Sequence, residues 1–157
     1  MTTEAERPAA TLAPIVKEIS VLLPIERAFA LFTEGIAGWW PLATHSVARQ
    51  DAVGCRFEAH AGGRLIEVAR DGTEHVWGTL LAWEPPGRLL MTWHPGRGPE
   101  IAQELEVTFS PDGAGTRVRL AHTGWERLAE VAPDERRSYD SGWDYVLGLY
   151  AERAERS

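Results

Sequence analysis

The sequence predicts a two-layer α+β fold, in which one antiparallel β-sheet is covered by a long C-terminal helix. Three observations lead to this prediction. Residues 52–125 form a succession of short strand-like segments separated by turn residues, such as those at 62–63 and 85–87. Links this short favour antiparallel hairpins, because parallel crossovers need about a dozen residues. Beyond Trp125 the apolar spacing becomes helical, and nothing else in the chain is long enough to cover the sheet.

Length and composition exclude several classes of protein. The chain has 157 residues, which corresponds to about one domain. Its net charge of −7 argues against a nucleic-acid partner, since phosphate binding needs a basic surface. No apolar run approaches the roughly 18 residues of a membrane span, and no secretory signal is present. The single cysteine, Cys55, excludes an internal disulfide and a cysteine zinc cluster, so a cytoplasmic location is expected.

The first third of the chain is predicted to contain an arm, a strand and a helix. Residues 1–13 have no periodicity and are expected to form a mobile arm in front of one domain over 14–157. The segment 15–22 is rich in Ile and Val, which favours a strand. Pro24 suits the first turn of a helix that continues to Thr33, because its missing N–H costs nothing there.

The central part of the chain is predicted to form six more strands. They are expected at 53–60, 64–70, 74–84, 88–94, 102–110 and 115–123. In the last two strands, Leu105 and Val107 alternate with Glu104 and Glu106, while arginines of the final strand match the acidic side. The sheet should therefore have one buried face and one wet face, with acid and arginine paired across strands on the wet face.

The C-terminal helix is predicted from Pro133 to about Arg153. Acidic residues in its first turn mark the start, and Tyr139, Trp143 and Tyr150 recur at helical spacing. Glycine inside a helix costs about 1 kcal/mol relative to alanine. The expected use of the glycine before Trp143 is therefore to let the helix approach the sheet or a ligand closely.

Several stretches resemble a known family. They are PIERAFALFTEGIAGWWP (24–41), GGRLIEV (62–68), DGTEHVWGTLLAWEPPGRLLMTW (71–93), GTRVRLAHTGWE (115–126) and the GW of SGWDYVL (141–147). The chain resembles the START-like superfamily, also called SRPBCC or Bet v 1-like, in the branch related to the activator of the ninety-kilodalton heat-shock protein ATPase. The resemblance implies a helix-grip fold, in which a curved antiparallel sheet wraps around the C-terminal helix and encloses a cavity. Members bind lipids, hormones or polyketides, and some are cyclases or co-chaperone modules.

The high tryptophan content favours a ligand pocket. Seven tryptophans accompany four phenylalanines, and each indole carries an N–H that needs a partner. We hypothesise that the cavity binds a small hydrophobic or aromatic ligand, although an aromatic core is the simpler alternative. The predicted lining residues are Trp39, Trp40, Phe57, Glu67, Trp77, Met91, Trp93, His122, Tyr139, Trp143 and Tyr150.

Two polar members of that set, His122 and Glu67, are the catalytic candidates. His122 lies on the apolar side of its strand, where it either contacts a ligand or is a hydrogen-bonded core histidine. The direction of Glu67 depends on the turn at 71–72. A two-residue loop groups it with Val76, whereas a three-residue loop with a bulge places it beside Trp77. The sequence leaves both alternatives open.

Two other functions remain open at this point. A chaperone-interacting module would expose a large patch on the outer sheet face. A cyclase-type or hydrolase-type enzyme would use His122 and Glu67 as acid and base, which requires both in one cleft. His45 is a further polar candidate for the pocket, and Cys55 is expected to be a buried, inert thiol. No metal or cofactor motif is present, and the chain is expected to be a monomer or a homodimer.

Overall fold

The computed structural model describes residues 13–157. The arm expected over 1–13 therefore lies outside the described residues, apart from Ala13. In chain order the elements are β1 (Ile15–Val21), α1 (Ile25–Thr33), β2 (Ala52–Phe57), β3 (Arg64–Ala69), β4 (Glu74–Glu84), β5 (Arg88–Trp93), β6 (Gln103–Asp112), β7 (Gly115–Thr123) and α2 (Ala132–Glu155). Short 3-10 turns lie between them at Ile36–Gly38, Arg49–Asp51, Pro99–Ile101 and Trp125–Val131.

All seven strands belong to one antiparallel sheet, with the order β1-β7-β6-β5-β4-β3-β2. The sheet curls into a half-barrel, and α2 packs along its concave side. Trp143, Val146, Leu147 and Tyr150 form the buried stripe of that helix. The predicted α+β fold class is thus confirmed. Between residues 13 and 157, no helix has the length and apolar character needed to cross a membrane.

The register of β6 and β7 confirms which face of these strands is buried. Leu105 lies opposite His122, and both are buried. The wet face carries the predicted charges, but their pairing is different from the expected one. Arg119 lies opposite a threonine, and Glu106 bonds instead to Arg88 of β5, with 2.7 Å between Oε2 and Nε. The register places an alanine opposite Glu106, so its carboxylate has no arginine across from it on β7.

The β3–β4 hairpin decides where Glu67 points. The amide nitrogen of Ala69 bonds to the carbonyl oxygen of Thr73 at 2.8 Å, so residues 70–72 form a three-residue turn. A register shift further along the hairpin makes Trp77 the extra residue of a bulge. The side chain of Glu67 is consequently fully buried and lies beside Trp77, as the second alternative from the sequence requires.

The core between the sheet and the two helices is strongly aromatic. The ring of Phe32 from α1 packs against Trp39 and Tyr150, with centroids 5.2 Å away in both cases. Trp39 in turn contacts Tyr150 at 5.1 Å. Much of the interior under the C-terminal part of α2 is therefore filled by side chains of the chain itself. An open cleft borders the N-terminal half of the helix.

Candidate functional site

A cleft of about 410 Å³ opens between the sheet and the N-terminal half of α2. Its walls come from the loop Thr44–Arg49 (the 44–49 loop), from strands β4 and β5, and from one face of α2. The lining residues are Trp40, Thr44, His45, Ser46, Val47, Arg49, Trp77, Trp93, Pro95, Gly96, Glu135, Ser138, Tyr139, Gly142, Trp143 and Val146. Four tryptophans and one tyrosine are among the lining residues, and the hydroxyl, imidazole and guanidinium groups belong mainly to the loop.

The four cleft indoles form one continuous cluster. The ring centroid of Trp40 lies 5.2 Å from that of Trp77 and 5.9 Å from that of Trp143. Trp93 lies 5.9 Å from Trp77 and 5.4 Å from Trp143, so it completes the ring contacts on the sheet side. Tilted and edge-to-face contacts of this kind stabilise aromatic pairs beyond their simple burial.

Every one of these indoles donates its N–H to a group of the protein. Trp40 donates to the carbonyl oxygen of His45 at 2.7 Å, and Trp93 donates to the hydroxyl of Tyr139 at 3.1 Å. The indoles of Trp77 and Trp143 donate to the two polar groups discussed next. Because the N–H groups are occupied, the rings are fixed in orientation and bring no free donor to the cleft. All four are largely buried, with at most 9% of any one exposed.

Glu67 joins the floor of the cleft to the 44–49 loop. Its Oε1 accepts the indole N–H of Trp77 and the backbone N–H of Val47, both at 2.8 Å. Its Oε2 accepts the backbone N–H of Ala48 at 2.7 Å. A fully buried carboxylate is tolerated only with such partners, and here the partners are parts of two cleft walls. Glu67 therefore positions the loop and the indole at once.

His122 is a buried neutral histidine behind the cleft. Its Nδ1 accepts the indole N–H of Trp143 at 3.0 Å, so its proton must lie on Nε2. Burial lowers its pKa from 6.5 to about 3. The imidazole packs against Trp125, with 4.2 Å between ring centroids, and against Tyr139 at 4.9 Å. Nε2 has no hydrogen-bond partner among the described residues.

The loop wall carries a histidine and an arginine. The Nδ1 of His45 lies 2.7 Å from the hydroxyl of Thr44, and its ring packs against Tyr145 with centroids 5.2 Å apart. Burial, and then the positive charge of Arg49, lower the pKa of His45, so the imidazole is uncharged at neutral pH. Arg49 itself is exposed and has a φ of 53°, in the left-handed region that non-glycine residues seldom occupy.

Cys55 does not contribute reactive chemistry to this site. Its thiol is buried, and burial together with the nearby Glu67 carboxylate raises its pKa to about 12. A thiol in that state is not a nucleophile, because the thiolate is the reactive form. Within the part of the chain that the structure describes, no group of three or more His, Cys, Asp or Glu side chains is placed to hold a metal ion.

The structure divides the predicted lining residues into two groups. Trp40, Trp77, Trp93, Tyr139 and Trp143 do line the cleft. The others, Trp39, Phe57, Glu67, Met91, His122 and Tyr150, are not part of its lining and pack in or around the core. Strand alternation and helical spacing identified the buried side of each element correctly. A buried side, however, faces both filled core and open cleft, and these patterns do not distinguish the two.

Several of the non-lining residues have contacts that explain their position. The hydroxyl of Tyr150 donates to the backbone oxygen of Ala28 at 2.7 Å, which ties α2 to α1. Phe57 packs against Trp83, with 6.2 Å between their ring centroids. The suggested acid–base pair is also not exposed to the cleft, because Glu67 and His122 are both fully buried and neither is part of its lining.

Residues 22–149 match the family model described as activator of Hsp90 ATPase homolog 1-like protein. The chain belongs to this AHSA1 family. It is 36% identical to the anthrahydroquino-γ-pyrone synthase Txn09, solved in complex with a ligand denoted SUM; the match covers 88% of this chain and 95% of that one, with a TM-score of 0.63.

Other solved structures show the shared fold alone. The AHSA1-like protein from Aeromonas hydrophila is 23% identical, with 92% and 93% coverage and a TM-score of 0.64. The Aha1 dimer from Colwellia psychrerythraea is 14% identical, with 91% and 96% coverage and a TM-score of 0.66. Among curated proteins, none matches the chain.

Sequence reasoning missed most of the polar lining of this AHSA1-like cleft. Thr44, Ser46, Val47 and Arg49 belong to a segment without periodicity, and their position depends on the long-range bonds of Glu67. Pro95, Gly96, Glu135, Ser138 and Val146 were missed as well. Two lining residues were signalled by the sequence: His45 as a polar candidate and Gly142 as an interior helical glycine. A Cβ built at Gly142 meets no atom within 4 Å, so this position faces open space in the cleft and not a close contact with the sheet.

Proposed function

We propose that this AHSA1-like protein binds a planar aromatic small molecule in the cleft between the 44–49 loop and α2. One observation carries the proposal: four indoles, fixed by their own hydrogen bonds, surround an open volume of about 410 Å³ together with Tyr139. Ligand pockets typically combine an aromatic lining with a small number of convergent polar groups, and the 44–49 loop supplies those groups here.

The physical gain from such a ligand is burial of its ring faces. Removal of apolar surface from water contributes about 25 cal/mol per Å², before the costs of ordering and association are subtracted. Edge-to-face and offset contacts with indoles add to this gain for an aromatic ligand but not for an aliphatic one. The cleft should therefore prefer a fused-ring molecule to a flexible chain of similar apolar area.

The relationship to Txn09 supports the same class of ligand. That protein is named an anthrahydroquino-γ-pyrone synthase, and it shares 36% identity over 88% of this chain. We propose a fused-ring aromatic ketone or hydroquinone as the ligand. A cyclisation reaction in the same cleft is the second candidate, because His45 lines the cleft as an uncharged base at neutral pH.

A glycine pair in α2 provides the test. Gly142 lines the cleft and Gly148 is exposed, and a Cβ at either position meets no atom within 4 Å. Gly142→Leu fills the cleft, whereas Gly148→Leu places the same side chain in solvent. Binding of neutral anthraquinone-2-carboxamide is measured by isothermal titration calorimetry, with 1-decanol as the aliphatic comparison.

We expect wild type and Gly148→Leu to bind the anthraquinone equally well and more tightly than decanol. Gly142→Leu should weaken binding by at least about tenfold, which corresponds to about 1.4 kcal/mol. Thermal unfolding verifies that both variants are folded. The proposal is wrong if the wild-type protein binds no fused-ring probe, or if both leucine variants bind it equally.

A chaperone-interacting role is the alternative that the family description suggests. It would need a contiguous exposed patch. The large apolar side chains exposed among the described residues lie on different elements: β1 and the residue just after it, β2 at the opposite edge of the sheet, β4, the turn before α2, and α2 itself. They are Val16, Leu22, Val53, Leu81, Val131 and Tyr145. This separation favours the ligand-binding proposal, for which we propose a cytoplasmic setting.

A further inference from the structure

The cleft wall contains one charge that no other side chain balances. Glu135 also lines the cleft, but it is paired with Arg97, with 2.9 Å between Oε1 and a guanidinium nitrogen. Arg49 forms no ion pair within residues 13–157. Of the two charged side chains in the cleft lining, Arg49 is therefore the one without an ion pair among the described residues.

The position of Arg49 is imposed by the residues just before it. The backbone N–H groups of Val47 and Ala48 are held by Glu67 at 2.8 and 2.7 Å. The backbone N–H of Arg49 donates to the hydroxyl of Ser46 at 2.8 Å. A left-handed φ at a non-glycine residue costs free energy and persists where surrounding bonds enforce it, often at ligand sites. These bonds hold Arg49 at the cleft rim.

The buried carboxylate of Glu67 is not an ion-pair partner of Arg49. Both of its oxygens already accept N–H groups, from Trp77, Val47 and Ala48. It also lies behind the loop backbone, away from the cleft lining. The guanidinium therefore keeps its hydrogen-bonding capacity for a group that enters the cleft, and a planar arginine fork suits a carboxylate or an ionised phenol.

We infer that the aromatic ligand carries an acidic group, a carboxylate or an ionised phenol, and that Arg49 receives its negative charge. This inference rests on the proposed function and specifies the chemical class of the ligand. The rings of the ligand lie against the indoles, and its acidic edge points to the 44–49 loop. There the hydroxyl groups of Thr44 and Ser46 and the imidazole of His45 border the same side of the cleft.

The test compares two probes that differ in charge but hardly in shape, anthraquinone-2-carboxylate and anthraquinone-2-carboxamide. Affinities are measured by isothermal titration calorimetry for wild type, Arg49→Gln and Arg49→Lys. Arg119→Gln is the matched control, because Arg119 lies on the other face of the sheet and also forms no ion pair among the described residues.

We expect the wild-type protein to prefer the carboxylate by about tenfold, as a partly desolvated charge-assisted contact predicts. Arg49→Gln should reduce that preference to within about twofold, mainly by weakening carboxylate binding, and Arg49→Lys should retain a part of it. Arg119→Gln should behave as wild type. The preference should also decrease as salt is added.

Two results would overturn the inference, and they differ in what they say about the proposed function. Equal affinity of the wild-type protein for both probes, or a carboxylate preference that survives Arg49→Gln, would remove the role of Arg49 and leave aromatic binding intact. If neither probe binds to the folded wild-type protein, the proposed function fails together with the inference.

Discussion

Trp77 donates its indole N–H to Oε1 of Glu67 at 2.8 Å, and this bond links the floor of the cleft to its loop wall. The same oxygen accepts the backbone N–H of Val47, and Oε2 accepts that of Ala48. A carboxylate with two acceptor oxygens can satisfy all three donors, whereas a carboxamide presents an NH₂ group to at least one of them. The connection between the cleft floor and the loop therefore requires a carboxylate at position 67, and a side chain of the same size is not sufficient.

Glu67→Gln is therefore expected to loosen the 44–49 loop. Hydrogen bonds to buried charged groups contribute about 1.5–3 kcal/mol each, so we expect a loss of about 3 kcal/mol in the free energy of unfolding. Urea denaturation measures that loss. Hydrogen exchange should show faster exchange of the Val47 and Ala48 amides, while the amides of β6 and β7 remain protected until global unfolding.

The control for this variant is Glu58→Gln. Glu58 bonds to Arg64 at the surface, where solvent screening leaves an ion pair with little effect on stability. Unchanged protection of the Val47 and Ala48 amides in Glu67→Gln would contradict the role assigned to Glu67. A bound anthraquinone probe should slow exchange of these same amides in wild type, if the loop forms one wall of the binding site.

Gly78 in β4 is expected to tolerate no side chain. A Cβ at this position would lie 1.7 Å from the backbone oxygen of Thr92 on β5, and backbone cannot move aside as a flexible side chain does. Gly78→Ala should therefore destabilise the fold by about 3 kcal/mol or more through overpacking. Gly54 in β2 offers the matched control, because a Cβ there meets no atom within 4 Å.

Chemical denaturation of the two alanine variants tests this difference. Gly54→Ala should stay within about 0.5 kcal/mol of wild type, as surface substitutions normally do. Similar stability of Gly78→Ala and Gly54→Ala would show that β4 and β5 can separate locally without cost. Since Gly78 directly follows Trp77, a shift in tryptophan emission should accompany the Gly78→Ala substitution.

The sequence predicted the fold better than the site for a physical reason. Strand alternation and helical spacing indicate which side of an element is buried. The alternation within β6 and β7 therefore predicted that Leu105 and His122, which lie opposite each other, share the buried face. The facing of Glu67 could not be predicted, because one residue more or less in the turn at 70–72 reverses it. The position of Arg49 depended in turn on Glu67, a contact between segments about twenty residues apart.

The same limit explains the division of the predicted pocket residues. Trp143 and Tyr150 share one stripe of α2, yet Trp143 lines the cleft and Tyr150 contacts Phe32, Trp39 and Ala28 in the core. Helical spacing predicts that both residues lie on the buried side of α2. It does not predict which of them meets packed side chains on the opposite side and which meets open volume. In the structure, α1 packs against Tyr150, whereas the 44–49 loop borders the cleft beside Trp143.

His122 should make the protein sensitive to acid. In the folded protein burial lowers its pKa to about 3, whereas the unfolded chain has the ordinary value of 6.5. The unfolded state therefore binds the proton more readily once the pH falls below 6.5. The contribution of His122 to stability is complete above that pH and decreases as the pH falls toward 3, by at most about 1.4 kcal/mol for each pH unit.

The measurement is the free energy of unfolding at a series of pH values between 7 and 4, for wild type and for His122→Asn. Asparagine keeps an acceptor for the indole N–H of Trp143 but has no titrating group in this range. The variant should be less stable at neutral pH and should lose less stability on acidification. His60→Asn, at an exposed position, should retain the wild-type slope. If His122→Asn and wild type lose stability in parallel from pH 6.5 downward, His122 is not the group that confers acid sensitivity.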